Sequence, residues 1–269
     1  MNEGWRDSNR AWWDEAAPLH ATSNFYDLKE FVTGRDDIRP FEHDELGSVA
    51  GLTLCHLQCH IGTDTLSWAR HGASVVGLDF SQPAIDVAQQ LAEDCGLSAE
   101  FVCADVYDAP AALGHDRFDI VYTGIGALNW LPDINRWAAT VAMLLRPGGF
   151  LYLVEIHPII AGLDPEGERI VEDTINAGYQ AWNDPEQTGT YAAPQASMKH
   201  TETYERHYAI SEVVTALLQA GLQLELLGEH EVTNEPLGWL QRGSDGLYRV
   251  KAGSPRYPLS YSVKARKPS

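Results

Sequence analysis

Between Leu54 and Leu66 the chain reads LCHLQCHIGTDTL, which sets Cys55, His56, Cys59 and His60 close together ahead of a single glycine, Gly62. Thiols and imidazoles at this density invite zinc. Structural zinc needs four ligands held by turns, or a second pair at a familiar spacing. The apolar run LTLCHL reads as a strand, whose successive side chains point to opposite faces, so Cys55 and His56 diverge. No second cysteine pair lies nearby, and no metal site is expected. The other chemistry open to a turn leaving a buried strand is cofactor binding. A dinucleotide loop brings backbone against a pyrophosphate, and glycines permit that approach. The side chains of Gln58 and His60 would crowd it. A cofactor without phosphates needs only a turn beside an amino acid and a sugar, so the demand for glycine is expected to relax.

Two acids extend the pattern. Asp79 closes the run VVGLD, 17 residues after Gly62. A carboxylate there accepts from ribose hydroxyls, or favours the N-terminus of a following helix. Asp105, in CADVYD, ends the next apolar run. It can accept from an exocyclic adenine amine while a neighbouring backbone N–H donates to a ring nitrogen, or it caps a turn. The loop and both acids, taken in order, suit an adenosine better than any one of them does.

Such residues must be brought to one edge. From residue 52 the chain alternates short apolar runs with helical patterns: LTLCHL, then TDTLSWARHG; ASVVGLDF, then a helix capped by Ser81 with Ile85, Ala88, Leu91, Ala92 and Cys95 on one face. AEFVCAD and RFDIVYTG follow as strands. PDINRWAATVAMLLRPGG reads as a helix stopped by Pro147 and two glycines, and FLYLVEI as a fifth strand. This alternation predicts a parallel sheet covered on both faces, with ligands at the carboxyl ends of the strands where strand order reverses. From His157 to about Tyr208 the pattern breaks into Gly, Pro, Asn, Asp and Thr, which predicts an insertion with some structure of its own. SEVVTALLQAG, LQLELLGEHE and YPLSYSVKARK then read as helix, strand and strand, with a loop or hairpin before the last.

The runs LCHLQCHIGTDTL, VVGLDFS, ADVYD, FDIVYTGIGALNWL and LLRPGGFLYLVE together resemble the class I S-adenosylmethionine-dependent methyltransferases, in a bacterial branch acting on small molecules. The resemblance covers almost the whole chain. It implies an α/β, Rossmann-like seven-stranded sheet, mostly parallel with an antiparallel last strand and helices on both faces. It implies S-adenosyl-L-methionine as cofactor and S-adenosyl-L-homocysteine as product. By resemblance, the loop from Gln58 through Cys59 and His60 to Gly62 holds the methionine part, Asp79 the ribose, and Asp105 with Val106 the adenine, with Asp64, Thr65 and Phe80 also at the cofactor. Thr123 and Gly124 line the sulfonium side. One departure matters: the loop in this family opens on an acid, and here that position is His56. Asp64 is the candidate to supply the lost charge.

The sulfonium is already activated, so the protein mainly aligns a nucleophile with the methyl group. An oxygen acceptor often needs a base. His157, in EIHP beyond the fifth strand, is the first candidate, with the alternative that it only caps local structure. His207 and Tyr208 come second, and Glu155 reads as structural. Asn129 and Trp130 follow the fourth strand and either shape the acceptor pocket or pack. His20 and Tyr26, in the aromatic N-terminal segment, either close over the site as a lid or pack on the sheet.

Composition bounds the reading. The 269 residues are 44% hydrophobic, with a formal net charge of −19. A field of that sign repels nucleic acid and anionic membranes. The opening is polar and acidic, no run approaches the about 20 apolar residues of a membrane span, and four cysteines fit a reducing setting. The expectation is a cytoplasmic, single-domain enzyme, monomer or homodimer, with a lid over residues 1–50, a cofactor-binding core over 51–157, a cap-like insertion over 158–208 and the rest of the sheet over 209–269. It transfers a methyl group to an oxygen, nitrogen or carbon of a small molecule. An adenine-dinucleotide oxidoreductase and a cofactor-binding protein without methyl transfer are the alternatives.

Overall fold

The computed structural model describes residues 4–175, 177–183 and 188–269. Three helices come first: α1 (Gly4–Ala21), α2 (Leu28–Val32) and α3 (Pro40–Leu46). Then strands and helices alternate: β1 (Thr53–Leu57), α4 (Thr63–Arg70), β2 (Ser74–Asp79), α5 (Gln82–Cys95), β3 (Glu100–Cys103), α6 (Ala109–Leu113), β4 (Phe118–Thr123), α7 (Ile134–Leu144) and β5 (Leu145–Ile156). A short helix α8 (Pro158–Ala161) and strands β6 (Gln180–Trp182) and β7 (Thr203–Glu205) make the insertion. The chain closes with α9 (Ile210–Gln219), β8 (Gln223–His230), β9 (Leu240–Arg242), β10 (Tyr248–Val250) and β11 (Ser260–Arg266).

One sheet of seven strands runs β3-β2-β1-β4-β5-β11-β8. The pairings from β3 to β5 are parallel, and β11 is antiparallel to both β5 and β8. The expected Rossmann-like sheet with one antiparallel, last-in-chain strand is therefore the observed one. Its strand order reverses between β1 and β4, and the β1 loop opens there. The β6–β7 and β9–β10 pairs are small separate ribbons, the second being the hairpin anticipated before the last strand.

Local chemistry sets the helix ends. Ser81 accepts from the Ala84 N–H at the start of α5, and Gly96 stops that helix with φ of 64°. Asp133 accepts from the N–H groups of Asn135 and Arg136 and so starts α7. Trp137, Val141 and Leu144 of α7 are fully buried against the sheet. Each such side chain contributes about 1.5–3 kcal/mol of hydrophobic stabilisation. The strand after α7 is longer than the apolar run suggests. Leu145 is already extended and pairs with Phe118, so the RPGG segment belongs to β5.

Helix α1 lies over α5 and is tied to the insertion. Asn9, fully buried, donates to the Tyr204 carbonyl at 2.9 Å and accepts from the Tyr204 N–H at 2.7 Å. That two-way bond extends β7 onto the N-terminal helix. No described helix is long and apolar enough to cross a membrane.

Candidate active site

The turn after β1 has a backbone that favours glycine without having the glycines. Gln58 and His60 lie in the left-handed region, with φ of 57° and 51°, and Gly62 follows at 82°. A non-glycine residue held there costs on the order of 1–3 kcal/mol. The expectation of a relaxed glycine demand is thereby corrected: the backbone shape is kept, and side-chain bonds hold it. Gln58 donates from Nε2 to the Ala127 carbonyl at 2.9 Å, joining the β1 turn to the loop after β4. The His60 ring meets His20 of α1, Nε2 to Nδ1, at 3.1 Å, and the other His20 nitrogen reaches Thr190 Oγ1 at 2.9 Å. Burial holds His20 down to about 4 and also lowers His60, so both rings are neutral near pH 7. Gly62 has its own steric need: a Cβ there would lie 2.9 Å from Ala88 Cβ and 3.0 Å from the Phe101 ring.

This turn forms one wall of a cavity of about 890 Å³, within the usual size of a small-molecule site. At its floor His56 Nδ1 meets Thr65 Oγ1 at 2.8 Å. A Cβ on Gly124 would come 3.2 Å from Asp64 Oδ2 and 3.4 Å from His56 Nε2, so the missing side chain leaves a recess facing both. Asp64 Oδ2 lies 3.3 Å from the Tyr122 hydroxyl oxygen and 3.6 Å from Arg39. Arg39 is already paired with Glu42, and Tyr122 donates to the same Glu42 at 2.8 Å. One guanidinium thus faces two carboxylates, and the recess carries net negative charge whenever Asp64 is ionised. Burial pushes Asp64 up to about 7 against the pull of Arg39. Burial, helped by Arg39, holds His56 down to about 3.

The two strand-end acids line the same cavity. Asp79 accepts from the His60 and Ser81 N–H groups, both at 2.9 Å. Burial raises it to about 6, opposed by those bonds. One such bond on each oxygen leaves further lone pairs for hydroxyls. Asp105 accepts from the Tyr107 N–H at 2.9 Å, and its second oxygen holds Arg6 of α1 at 2.8 Å. The residues fit an adenosyl amino acid on three counts. Gln58 Oε1 is buried without a partner among the described residues, the Gly124 recess is open, and the acids follow one another along the strand ends.

Over these acids lies an aromatic wall. Trp13 and Trp130 rings are 5.1 Å apart, Trp12 and Trp130 5.5 Å, and Trp13 and His60 5.1 Å. Tyr26 and Tyr191 hydroxyls share a 2.5 Å hydrogen bond. Glu155 accepts from the N–H groups of Gly126, Ala127, Leu128 and Ile156, which fixes the loop after β4.

Of the anticipated residues, Gln58, Cys59, His60, Asp64, Asp79, Phe80, Asp105, Val106, Gly124, Tyr26, Asn129, Trp130, His207 and Tyr208 line the cavity. Gly62, Thr65, Thr123 and His20 stand behind the wall. His157 is a correction: it does not line the cavity. Its Nε2 turns to Glu229 at 3.2 Å and its Nδ1 accepts from the Ile159 N–H, so it caps α8. The Tyr208 hydroxyl donates to the Leu131 carbonyl at 2.6 Å. Sequence reasoning missed Arg39 and Glu42, which precede any strand, and Tyr191 and Glu235, which lie in segments without periodicity. Among the described residues the four clustered Cys and His side chains do not converge. The one trio that does is Asp36, His43 and His71, where both rings hydrogen-bond to one Asp36 oxygen, at 3.0 and 2.7 Å.

Comparison with known proteins meets this geometry at the same segment. Residues 55–149, from β1 into β5, match the family described as Methyltransferase domain. The chain is 30% identical over 148 residues to a ubiquinone biosynthesis O-methyltransferase of Methylobacterium sp. (strain 4-46), covering 54% of this chain and 58% of that protein. A second protein of that description, from Coxiella burnetii (strain Dugway 5J108-111), is 34% identical over 112 residues, covering 41% of this chain and 46% of that one. The chain thus spans about half the length of the curated relatives it matches. Among solved structures, an S-adenosylmethionine-dependent methyltransferase from Mesorhizobium loti superposes with a TM-score of 0.62 at 23% identity, over 88% of this chain and all of that one.

Proposed function

We propose, from a chain that carries a methyltransferase domain on the class I S-adenosylmethionine-dependent methyltransferase fold, that it moves the methyl group of S-adenosyl-L-methionine to a small molecule, at an oxygen. The bound cofactor supplies the activated methyl group. The chain's residues supply position. Asp79 takes the ribose hydroxyls and Asp105, released from Arg6, takes the adenine amine. Asp64 and the free Gln58 Oε1 take the methionine ammonium. The aromatic wall of the cavity excludes water and offers the acceptor apolar ring faces and edges to pack against, which strengthens the alignment on which the reaction depends. The relatives named O-methyltransferases support oxygen as the attacked atom. The N-terminal helices over residues 1–50 act as the lid, the core over 51–157 holds the cofactor, residues 158–208 cap it, and 209–269 complete the sheet. The reading is a single domain, monomer or homodimer; the four free thiols support a reducing, cytoplasmic setting, and a net charge of −19 opposes a nucleic-acid partner.

One observation carries this reading: an anionic recess opened by Gly124 stands beside two acids at consecutive strand ends. Calorimetric titration of cofactor-stripped protein with S-adenosyl-L-homocysteine tests it. Micromolar binding is expected, together with loss of affinity in Asp79→Ala. NAD binding with no S-adenosyl-L-homocysteine binding would overturn it.

A further inference from the structure

Glu235 lies in the segment between β8 and β9, in the same cavity wall as the cofactor loop. The other acids of that wall are engaged. Glu155 holds four backbone N–H groups, Glu205 accepts from Asn129 and Thr203, and Asp105 holds Arg6. The Glu235 carboxyl alone makes no hydrogen bond or ion pair among the described residues. The groups that face it are the Tyr26 and Tyr191 phenols, which it raises, and Glu155, which raises it. None of these is a cation. The Glu235 carboxyl is half-buried and lines the cavity, where a ligand that brings a donor can reach it. Burial, with Glu155, pushes it up to about 7.

We infer that Glu235 is the proton acceptor of the methyl transfer and that the acceptor is a flat molecule with an acidic hydroxyl, a phenol or enol. The inference rests on the methyltransferase reading above. As oxygen bonds to the methyl carbon, the carbon–sulfur bond breaks with its pair left on sulfur, and the hydroxyl proton passes to the Glu235 carboxylate. An amine would gain nothing here, because a carboxylate holds it as ammonium and removes its lone pair. An aliphatic alcohol is too weak an acid for a base of this strength. Trp12, Trp13 and Trp130 line the cavity, Trp13 edge-on to the other two, and a flat ring can lie against one of these faces.

The probes are 2-naphthol and 2-methoxynaphthalene, titrated by fluorescence at pH 8 into protein saturated with S-adenosyl-L-homocysteine. They share one flat body, and only the first has a proton to give. Wild type is expected to bind 2-naphthol at least tenfold more tightly. Excited 2-naphthol is a strong acid, so bound probe is expected to emit as naphtholate. Glu235→Leu should bring the two affinities within twofold. Glu235→Gln, which accepts a hydrogen bond and not a proton, should keep the preference and lose the naphtholate emission. Both variants should bind S-adenosyl-L-homocysteine within twofold of wild type, which also reports their folding. Equal affinities in wild type, no naphthol binding, or naphtholate emission surviving in Glu235→Gln would each overturn the assignment and leave the methyltransferase reading intact. Failure of wild type to bind S-adenosyl-L-homocysteine would overturn that reading, and this one with it.

Discussion

Asp64→Asn is expected to make the protein more stable and a worse binder. Burial raises the Asp64 carboxyl from 3.8 to about 7. A carboxyl raised in the folded state contributes stability that is complete below its unfolded value and lost as pH rises through the folded one. At pH 8 the ionised group therefore weakens the empty protein by about 4 kcal/mol at most, at about 1.4 kcal/mol per unit. Asparagine removes the charge but keeps some desolvation cost, so about 2 kcal/mol should return, or roughly 5 °C in melting temperature. Ligand binding goes the other way. A charge-assisted hydrogen bond to the methionine ammonium contributes about 1.5–3 kcal/mol, so S-adenosyl-L-homocysteine should bind roughly 10- to 100-fold more weakly to the variant at pH 8. Wild-type affinity should also fall about tenfold from pH 8 to pH 6, because the carboxyl must ionise to take the ammonium. The variant should fall only about twofold over that window, because Asp79, raised to about 6, is half protonated at pH 6. Calorimetry at pH 6, 7 and 8, with melting curves of the empty protein, measures all three. A wild-type affinity independent of pH, or a variant that melts lower, would refute the placement of Asp64 against the ammonium.

Gly62→Ala should cost about 2–4 kcal/mol, since its Cβ would press on Ala88 and Phe101 and its backbone is left-handed; a melting temperature within 2 °C of wild type would contradict this. His157→Ala should leave S-adenosyl-L-homocysteine affinity and turnover unchanged and cost about 1 kcal/mol for the lost cap; a large fall in turnover at constant affinity would return it to the chemistry. Acid acts on the fold in two directions. His20 and His56 are held neutral, at about 4 and about 3, so each costs stability as pH falls below 6.5, while Asp64 and Asp79, raised to about 7 and about 6, return stability over the same range. The histidine part is isolated in His20→Gln, whose stability relative to wild type should rise by about 2 kcal/mol from pH 7 to pH 5; a difference that does not change with pH would exclude it.

The sheet and half of the site were legible in the sequence because both rest on local patterns. Strand β2 and helix α5 follow from VVGLD, Ser81 and a 3.6-residue apolar repeat, and an acid at a strand end is fixed in space once the strand is. Asp64 was legible as a candidate from the helix start, but its role was not. The recess depends on Gly124 and on the Arg39–Glu42 pair, which come from β4 and from α3 and meet only in the fold. His157 failed for a related reason. Position after β5 predicts the right edge, but the Ile159 N–H and Glu229 turn the ring away from the cavity. Glu235 gave no signal, since a carboxyl is conspicuous only once its neighbours are known to be paired elsewhere.

The β1 turn explains why the opening motif looked anomalous. Its backbone takes the left-handed geometry that glycine supplies without strain, yet Gln58 and His60 supply side chains at the strained positions. The local rule is broken, and the compensation is distant: Ala127 holds Gln58, while His20 on α1 and Thr190 in the insertion hold His60. The strain of the turn is thus balanced by side chains of helix α1 and of the insertion after β5. A glycine loop would hold the same backbone without them. This one reaches its full set of hydrogen bonds because His20 of α1 and Thr190 of the insertion lie against it.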